Sequence, residues 1–147
     1  MVYVPIFIFS FLFAGVQPLK TAPKKTHAKG AVVEFLAHPS IHKNKNAFIA
    51  RLTVPAGGKV PVHRDKTEEY LYILEGQGTI WINGKKISIK TNDTIFMPAN
   101  AEVKFENGPK KLVALQVFAG IGPEVKYNGD AWKTAPSVNS EEKAAKK

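Results

Sequence analysis

Three side chains that could hold a metal ion or move a proton lie close together in the sequence, at His63, Asp65 and Glu69. Successive side chains of an extended chain alternate between faces, so these odd-numbered residues are predicted to share one side with Leu71 and Ile73. An imidazole and two carboxylates are suitable ligands for a divalent ion such as Mn, Fe, Ni or Zn. Polar groups followed by apolar ones are typical of a pocket wall that continues into a core.

The sequence leaves three interpretations of this cluster open. In the first, His63, Asp65 and Glu69 bind a divalent metal ion that keeps open coordination positions. In the second, a carboxylate holds the imidazole in one tautomer, giving a metal-free general acid–base for epimerisation, isomerisation or elimination. In the third, the three groups only hydrogen-bond one another, or Arg51 and Arg64, at a wet barrel mouth.

Short strand patterns separated by turn signals must position these residues. Asn83-Gly84 is the strongest hairpin signal, because both residues tolerate the positive φ of a type I′ turn. No segment shows a convincing helical period. This spacing of strands and turns predicts an all-β sandwich or barrel. The predicted strands cover residues 32–36, 47–54, 69–74, 79–82, 85–89, 94–97, 101–105 and 112–118.

Residues 57 to 107 resemble a small single-domain cupin, since two motifs of that family occur in the right order. The first motif is matched by Gly57, His63, Asp65, Glu69 and Gly76. The second motif is matched in spacing by Asn92, Pro98, Asn100, Val103 and Asn107. The resemblance implies a single-domain β-barrel of the jelly-roll type, also called a double-stranded β-helix, and association as a homodimer.

The departures from the family pattern concern the metal site. Metal-binding cupins typically use three histidines and one glutamate that converge inside the barrel. This chain keeps His63 and Glu69, while Asp65 replaces a histidine and Val103 offers no donor atom. A metal site implied by the resemblance is therefore degenerate, with oxygen ligands favouring harder ions such as Mn²⁺.

Further pocket residues are predicted on the strands around the cluster. An inward Arg51 would suit a carboxylate or phosphate, whereas an outward Arg51 would be solvated. Gln116 is the one polar residue of the run 112–118, so it either lines the pocket or faces an edge. Trp81 could stack on a ligand or pack in the core. Val103 is placed in the pocket by the cupin motif.

Composition limits the remaining possibilities. The 147-residue chain has no cysteine, which excludes a disulfide framework and a thiolate zinc site. Its net charge of +9 comes almost wholly from lysine, since Arg51 and Arg64 are the two arginines. Nucleic-acid readers usually concentrate arginine and aromatic residues on one element, so a nucleic-acid partner is not predicted. The lysines could instead contact an anionic envelope surface, or simply solvate a linker and tail.

The chain divides into four predicted parts. Residues 1–16 are uncharged, rich in phenylalanine and short for a bilayer span, which favours a signal peptide and export to the periplasm or medium over an uncleaved membrane anchor or a buried segment. Residues 17–29 are predicted to form a basic linker, and residues 30–127 are predicted to form the cupin barrel. The chain after Gly120 is predicted to wrap the outside of the barrel, and residues 128–147 are predicted to be a C-terminal extension, disordered from about 136.

The predicted function is an exported small cupin that binds or transforms a small polar metabolite, a sugar or a small acid, through His63 with Asp65 and Glu69. An enzyme of this kind would be an isomerase or epimerase, a lyase or a dioxygenase. The alternative is a non-catalytic ligand-binding module, or an envelope-associated cupin without metal.

Overall fold

The computed structural model describes residues 15–134, so the disorder predicted from about 136 and all but the end of the predicted signal peptide lie outside the described residues. Antiparallel strands account for most of the regular structure in this range. They are β1 Lys24–His27, β2 Val32–Ala37, β3 Phe48–Val54, β4 Lys59–His63, β5 Glu69–Glu75, β6 Gln77–Ile82, β7 Lys85–Lys90, β8 Thr94–Met97, β9 Val103–Asn107, β10 Leu112–Phe118 and β11 Trp132–Thr134.

The helices are short. They are a 3₁₀ turn at Leu19–Thr21, the four-residue helix α1 at Pro39–His42, and a 3₁₀ helix at Pro123–Asn128, called here the C-terminal 3₁₀ helix. Between residues 15 and 134 no helix has the length and apolar character needed to cross a membrane.

Two sheets form the barrel. The larger has the strand order β11-β1-β2-β3-β10-β5-β8, and the smaller has the order β4-β9-β6-β7. Strands alternate between inward and outward side chains, and the inward residues of both sheets meet in one apolar core around Ile73, Ile80 and Phe105. The all-β jelly roll expected from the sequence is confirmed.

A second apolar cluster lies at the β1–β2 end of the large sheet. Phe48 and Phe118 are fully buried there, with ring centroids 5.9 Å apart. Tyr127 of the C-terminal 3₁₀ helix belongs to the same cluster and is only 3% exposed. The chain after Gly120 was predicted to wrap the outside of the barrel, but its tyrosine side chain completes the interior.

The predicted linker over 17–29 contains strand β1, which differs from the sequence-based expectation. Lys24–His27 pairs with β2 on one side and with β11, from the predicted C-terminal extension, on the other. His27 packs against Trp132 with ring centroids 4.9 Å apart. The lysine-rich composition of this strand is typical of a linker. Its pairing with a strand more than 100 residues away does not show in the local sequence.

Two asparagines occupy motif positions where cupins typically have glycine. Asn92 and Asn100 have φ angles of 73° and 62°, in the left-handed region. Asparagine tolerates that region better than other non-glycine residues, so the motif turns are kept. The predicted Asn83-Gly84 hairpin is also present, with φ of 49° and 79°.

Candidate functional site

The site lies where the chain passes from the small sheet to the large one. His63 ends β4, Glu69 begins β5, and Asp65 lies in the connection between them. Simple alternation predicted that the three residues share one face of a single strand. Instead they lie on two strands and on the connection between them. The chain reversal at this corner brings them together instead.

Backbone and side-chain hydrogen bonds fix the connection. The Asn100 N–H donates to the carbonyl oxygen of Asp65 at 2.7 Å. The Arg64 guanidinium donates to the carbonyl of Asn100 and to the carboxylate of Glu102, both at 2.8 Å. Asp65 is thus held against the β8–β9 loop, which also carries Pro98 and Asn100 of the second motif.

His63, Asp65 and Glu69 form one cluster, as predicted. One potential ligand atom from each lies within 4.8 Å of the others. The distance from His63 Nε2 to Asp65 Oδ2 is 3.6 Å, which is too long for a hydrogen bond. Val103 is the cross-strand partner of His63 and is 6% exposed, so it forms an apolar wall beside the imidazole.

The tautomer of His63 is set by the backbone. Its Nδ1 lies 2.9 Å from the carbonyl oxygen of Pro61. A carbonyl can only accept, so Nδ1 carries the proton and donates. The Nε2 atom is consequently the one that faces Asp65. The hypothesis that a carboxylate fixes this tautomer is wrong, because a main-chain carbonyl does so.

Glu69 is buried at the inner end of the site and is 5% exposed. Gln116 donates to its Oε1 at 2.5 Å, and the Tyr127 hydroxyl donates to Gln116 Oε1 at 2.7 Å. Burial raises the pKa of Glu69 to about 7, against the charge of Lys126 and the Gln116 hydrogen bond, while Asp65 adds to the rise. Burial also raises the pKa of Tyr127, with a further contribution from Glu69.

Lys126 completes the cluster from the C-terminal 3₁₀ helix. Its Nζ lies 2.9 Å from Asp65 Oδ2, and it sits over the Phe118 ring, 4.6 Å from the centroid. Sequence analysis missed both Lys126 and Tyr127. Their residue types are common, and no local pattern indicates that the chain after β10 returns to the barrel mouth.

Of the four other predicted pocket residues, two lie at the site and two lie on the outside of the barrel. Gln116 and Val103 face inward and contact the site. Arg51 lies on the outer face of β3, where it forms an ion pair with Glu34 at 3.1 Å. Trp81 lies on the outer face of β6, with Lys104 Nζ 4.5 Å from its ring centroid. Strand alternation places both on the side opposite the core, so neither lines the pocket.

The two arginines form their ion pairs with acidic residues outside the cluster. Arg51 pairs with Glu34 and Arg64 with Glu102. A cavity of about 550 Å³ lies at the opposite ends of β6, β7 and β9 from His63, with Gln77, Lys90 and Glu106 among its lining residues. It holds none of the predicted site residues.

The donor set fits a divalent ion. Donors that share one ion at about 2.0–2.2 Å in tetrahedral geometry stand about 3.3–3.6 Å apart. His63 Nε2 and Asp65 Oδ2 already have this spacing at 3.6 Å, and all three donors lie within 4.8 Å of one another, so closure by roughly 1 Å would complete the set. Histidine ligands usually donate their other ring N–H to a carbonyl or carboxylate, which His63 does. Glu69 is likewise oriented by Gln116. His63, Asp65 and Glu69 are the residues that would hold the ion.

The sequence of this chain is similar to those of known proteins. Residues 50–118 match the model of the cupin domain. The chain is 35% identical over 82 residues to an oxalate-binding protein of Thermotoga maritima, covering 54% of this chain and 67% of that protein. The chain belongs to the cupin family. This cupin is also 38% identical over 79 residues to an uncharacterised protein of Methanocaldococcus jannaschii, covering 53% of this chain and 63% of that protein.

Solved structures agree with the fold. A crystal structure of a predicted oxalate decarboxylase from Thermotoga maritima aligns with a TM-score of 0.63 and 27% identity, covering 74% of this chain and all of that one. An RmlC-like cupin from Shewanella frigidimarina aligns with a TM-score of 0.67 and 13% identity, covering 77% and 96% of the two chains.

Proposed function

We propose that this cupin binds a small carboxylate-bearing metabolite at His63, Asp65 and Glu69, with a divalent metal ion held by the same residues. The geometry of His63 carries the proposal. Its Nδ1 donates to Pro61, so Nε2 turns towards two carboxyl groups within a cluster 4.8 Å across. A divalent ion between these groups would add to the one positive charge that Lys126 already places against Asp65. When bound, the ion would supply Lewis-acid polarisation of a ligand oxygen.

The surrounding residues have supporting roles in this proposal. Gln116 orients the Glu69 carboxyl, and Tyr127 in turn orients Gln116. Val103 and Leu71 present apolar surface beside these polar groups. This combination of a few convergent polar groups and an apolar wall is typical of small-molecule sites.

Charge favours a small acid over a sugar as the ligand. Asp65 and Glu69 alone would repel an anion, whereas a divalent ion with Lys126 nearby makes the cluster attractive to a carboxylate. The likeness to the oxalate-binding protein of Thermotoga maritima supports this ligand class.

The test is calorimetric titration of chelator-treated protein with Mn²⁺, followed by oxalate with and without Mn²⁺. We expect one Mn²⁺ per chain, at least about tenfold weaker binding in His63→Ala, and oxalate binding that requires Mn²⁺. His27→Ala, a histidine on β1 outside the site, is the matched control. Equal Mn²⁺ affinity in wild type and His63→Ala would contradict the proposal.

The pKa of Glu69 favours a second candidate, metal-free general acid–base catalysis. A carboxyl group with a pKa of about 7 can both donate and accept a proton near neutral pH. In this case chelator-treated protein in D₂O should exchange a carbon-bound proton of a small hydroxy acid or sugar, followed by NMR. Glu69→Gln should abolish the exchange, and exchange that needs added metal would contradict a metal-free reaction.

Export is a further part of the proposal, supported by the uncharged, apolar residues 1–16. Fusion of residues 1–29 to a phosphatase that is active only outside the cytoplasm tests it directly. We expect activity with the fusion and none when Ile6 and Phe7 are replaced by aspartate. Attachment to envelope fractions that is lost at high salt would support contact of the lysines with an anionic surface.

We also propose that the chain forms a homodimer. The outer face of β5 and of the edge strand β8 carries exposed apolar side chains that are 37–48% exposed. These are Tyr70, Tyr72, Leu74 and Phe96, called here the outer apolar patch. A second copy would remove this patch from water.

A further inference from the structure

Lys126 introduces a positive charge into the cluster and belongs to neither cupin motif. Its Nζ lies 2.9 Å from Asp65 Oδ2. The same oxygen is the one that faces His63 Nε2 at 3.6 Å. The ammonium group therefore already contacts the carboxylate oxygen nearest to the histidine donor.

Packing fixes the position of Lys126. Its Nζ lies 4.6 Å from the Phe118 ring centroid and 5.7 Å from that of Tyr127. The next residue, Tyr127, is 3% exposed and hydrogen-bonded to Gln116, so the helix that carries the lysine is anchored in the core. The Lys126 side chain remains 32% exposed, but its contacts with Asp65 and the Phe118 ring hold its ammonium group at the site.

We propose that Lys126 is an intramolecular counter-cation that competes with a divalent ion for Asp65 and thereby sets the affinity of the cluster for metal. An ion bound to Asp65 repels an ammonium group that contacts the same oxygen. Binding thus requires Lys126 to leave Asp65 or to share it at an electrostatic cost. The inference rests on the proposed function only in taking His63, Asp65 and Glu69 as the cation site.

The decisive variant is Lys126→Met, which removes the charge and keeps an aliphatic stem over the Phe118 ring. We expect chelator-treated Lys126→Met to bind Mn²⁺ at least about tenfold more tightly than wild type in calorimetric titration. Lys126→Arg retains the charge and should stay within about threefold of wild type. Lys66→Met is the matched control, because Lys66 is exposed and adjacent to Asp65 in sequence.

Thermal unfolding gives a readout that is independent of activity. Without metal, Lys126→Met should unfold at a lower temperature than wild type, because Asp65 and Glu69 lose their counter-charge. Mn²⁺ should then raise its unfolding temperature by more than it raises that of wild type. Lys126→Gln provides a second neutral variant if Lys126→Met folds poorly.

The outcomes separate this inference from the proposed function. If Lys126→Met binds Mn²⁺ and wild type does not, the competition is supported and the metal-dependent function is refuted. If both bind with equal affinity, the competition is refuted and the metal-dependent function stands. Absence of Mn²⁺ binding in both neutral variants refutes the competition as well.

Discussion

Glu69 is the acidic residue of the site that is most strongly removed from water. Its carboxyl group lies beneath His63 and Asp65 and is 5% exposed. Burial is the main reason that its pKa rises to about 7 from the ordinary 4.5. Near neutral pH the metal-free protein therefore holds this residue in a mixture of protonated and charged forms.

The first prediction concerns pH and stability. Because the folded-state pKa of Glu69 lies above its unfolded value of 4.5, folding favours the protonated form. Its contribution is fully present below pH 4.5 and is lost as pH rises through about 7, amounting to about 3 kcal/mol. Glu69→Gln should remove this part of the decline. Urea unfolding at about pH 5 and about pH 8 in chelator measures it.

Glu68→Gln is the matched control, since Glu68 is exposed and adjacent in sequence. It should leave the decline in the free energy of unfolding as it is in wild type. An equal decline in wild type and Glu69→Gln would show that Glu69 titrates as an ordinary exposed carboxyl group.

At the scale of single residues, the sequence predicted the cluster of His63, Asp65 and Glu69 but not the inward or outward orientation of every pocket candidate. Gln116 was identified because it is one polar residue in an apolar strand, and it contacts Glu69. The orientation of Arg51 depends on whether even or odd residues of β3 face the core. That choice is set by pairing with β2 and β10, which a single strand does not specify.

At the scale of elements, the C-terminal 3₁₀ helix is the part that links the core to the site. Tyr127 lies in the apolar cluster with Phe48, while the preceding Lys126 contacts Asp65. One short helix thus places a buried hydroxyl and a cation on the same side of the barrel mouth.

The second prediction tests this link. Tyr127→Phe leaves the buried Gln116 Oε1 without its tyrosine donor, so we expect a loss of about 1–3 kcal/mol in the free energy of unfolding. Thr91→Val removes a hydrogen bond to the Gly76 carbonyl at an exposed position outside the outer apolar patch and should change stability by less than about 0.5 kcal/mol. Chemical denaturation of the two variants measures both values. Equal losses would argue that burial of the Tyr127 hydroxyl is unimportant.

The predicted elements were those with strong local signals. Strand β10 is a continuous apolar run, and the β6–β7 hairpin has Asn83-Gly84 at its turn. Strands β1 and β11 have only four and three residues and are held by each other and by β2. Such short strands form because tertiary pairing overrides their composition, so local patterns do not show them.

At the scale of the whole molecule, the outer apolar patch is the surface most suited to a second copy. Tyr70 and Phe96 are cross-strand partners with ring centroids 5.2 Å apart. Tyr70 lies on β5 and Phe96 on β8, the strand at which the large sheet ends. An exposed apolar face next to a strand that ends the sheet, as β8 does among the described residues, favours association.

The third prediction follows from this surface. Replacing both Tyr70 and Phe96 by serine should convert a dimer to a monomer, measured by light scattering after size-exclusion chromatography. Replacing Lys85 and Lys86, exposed on the small sheet, by serine should leave the molar mass unchanged. A monomeric wild type at concentrations of about 100 μM would exclude the proposed dimer.

The pairing of β1 with β11 has a consequence for maturation of the chain. Lys25 and Thr26 face Thr134 and Lys133 across this pair, and Lys25 also donates to the side chain of Asn128, the last residue of the C-terminal 3₁₀ helix. A peptidase that cut after His27 would therefore take from β11 its partner strand, and from the helix that carries Lys126 and Tyr127 its contact with Lys25. Any leader removed in the cell has to be cut before Lys24 if the barrel mouth is to stay assembled.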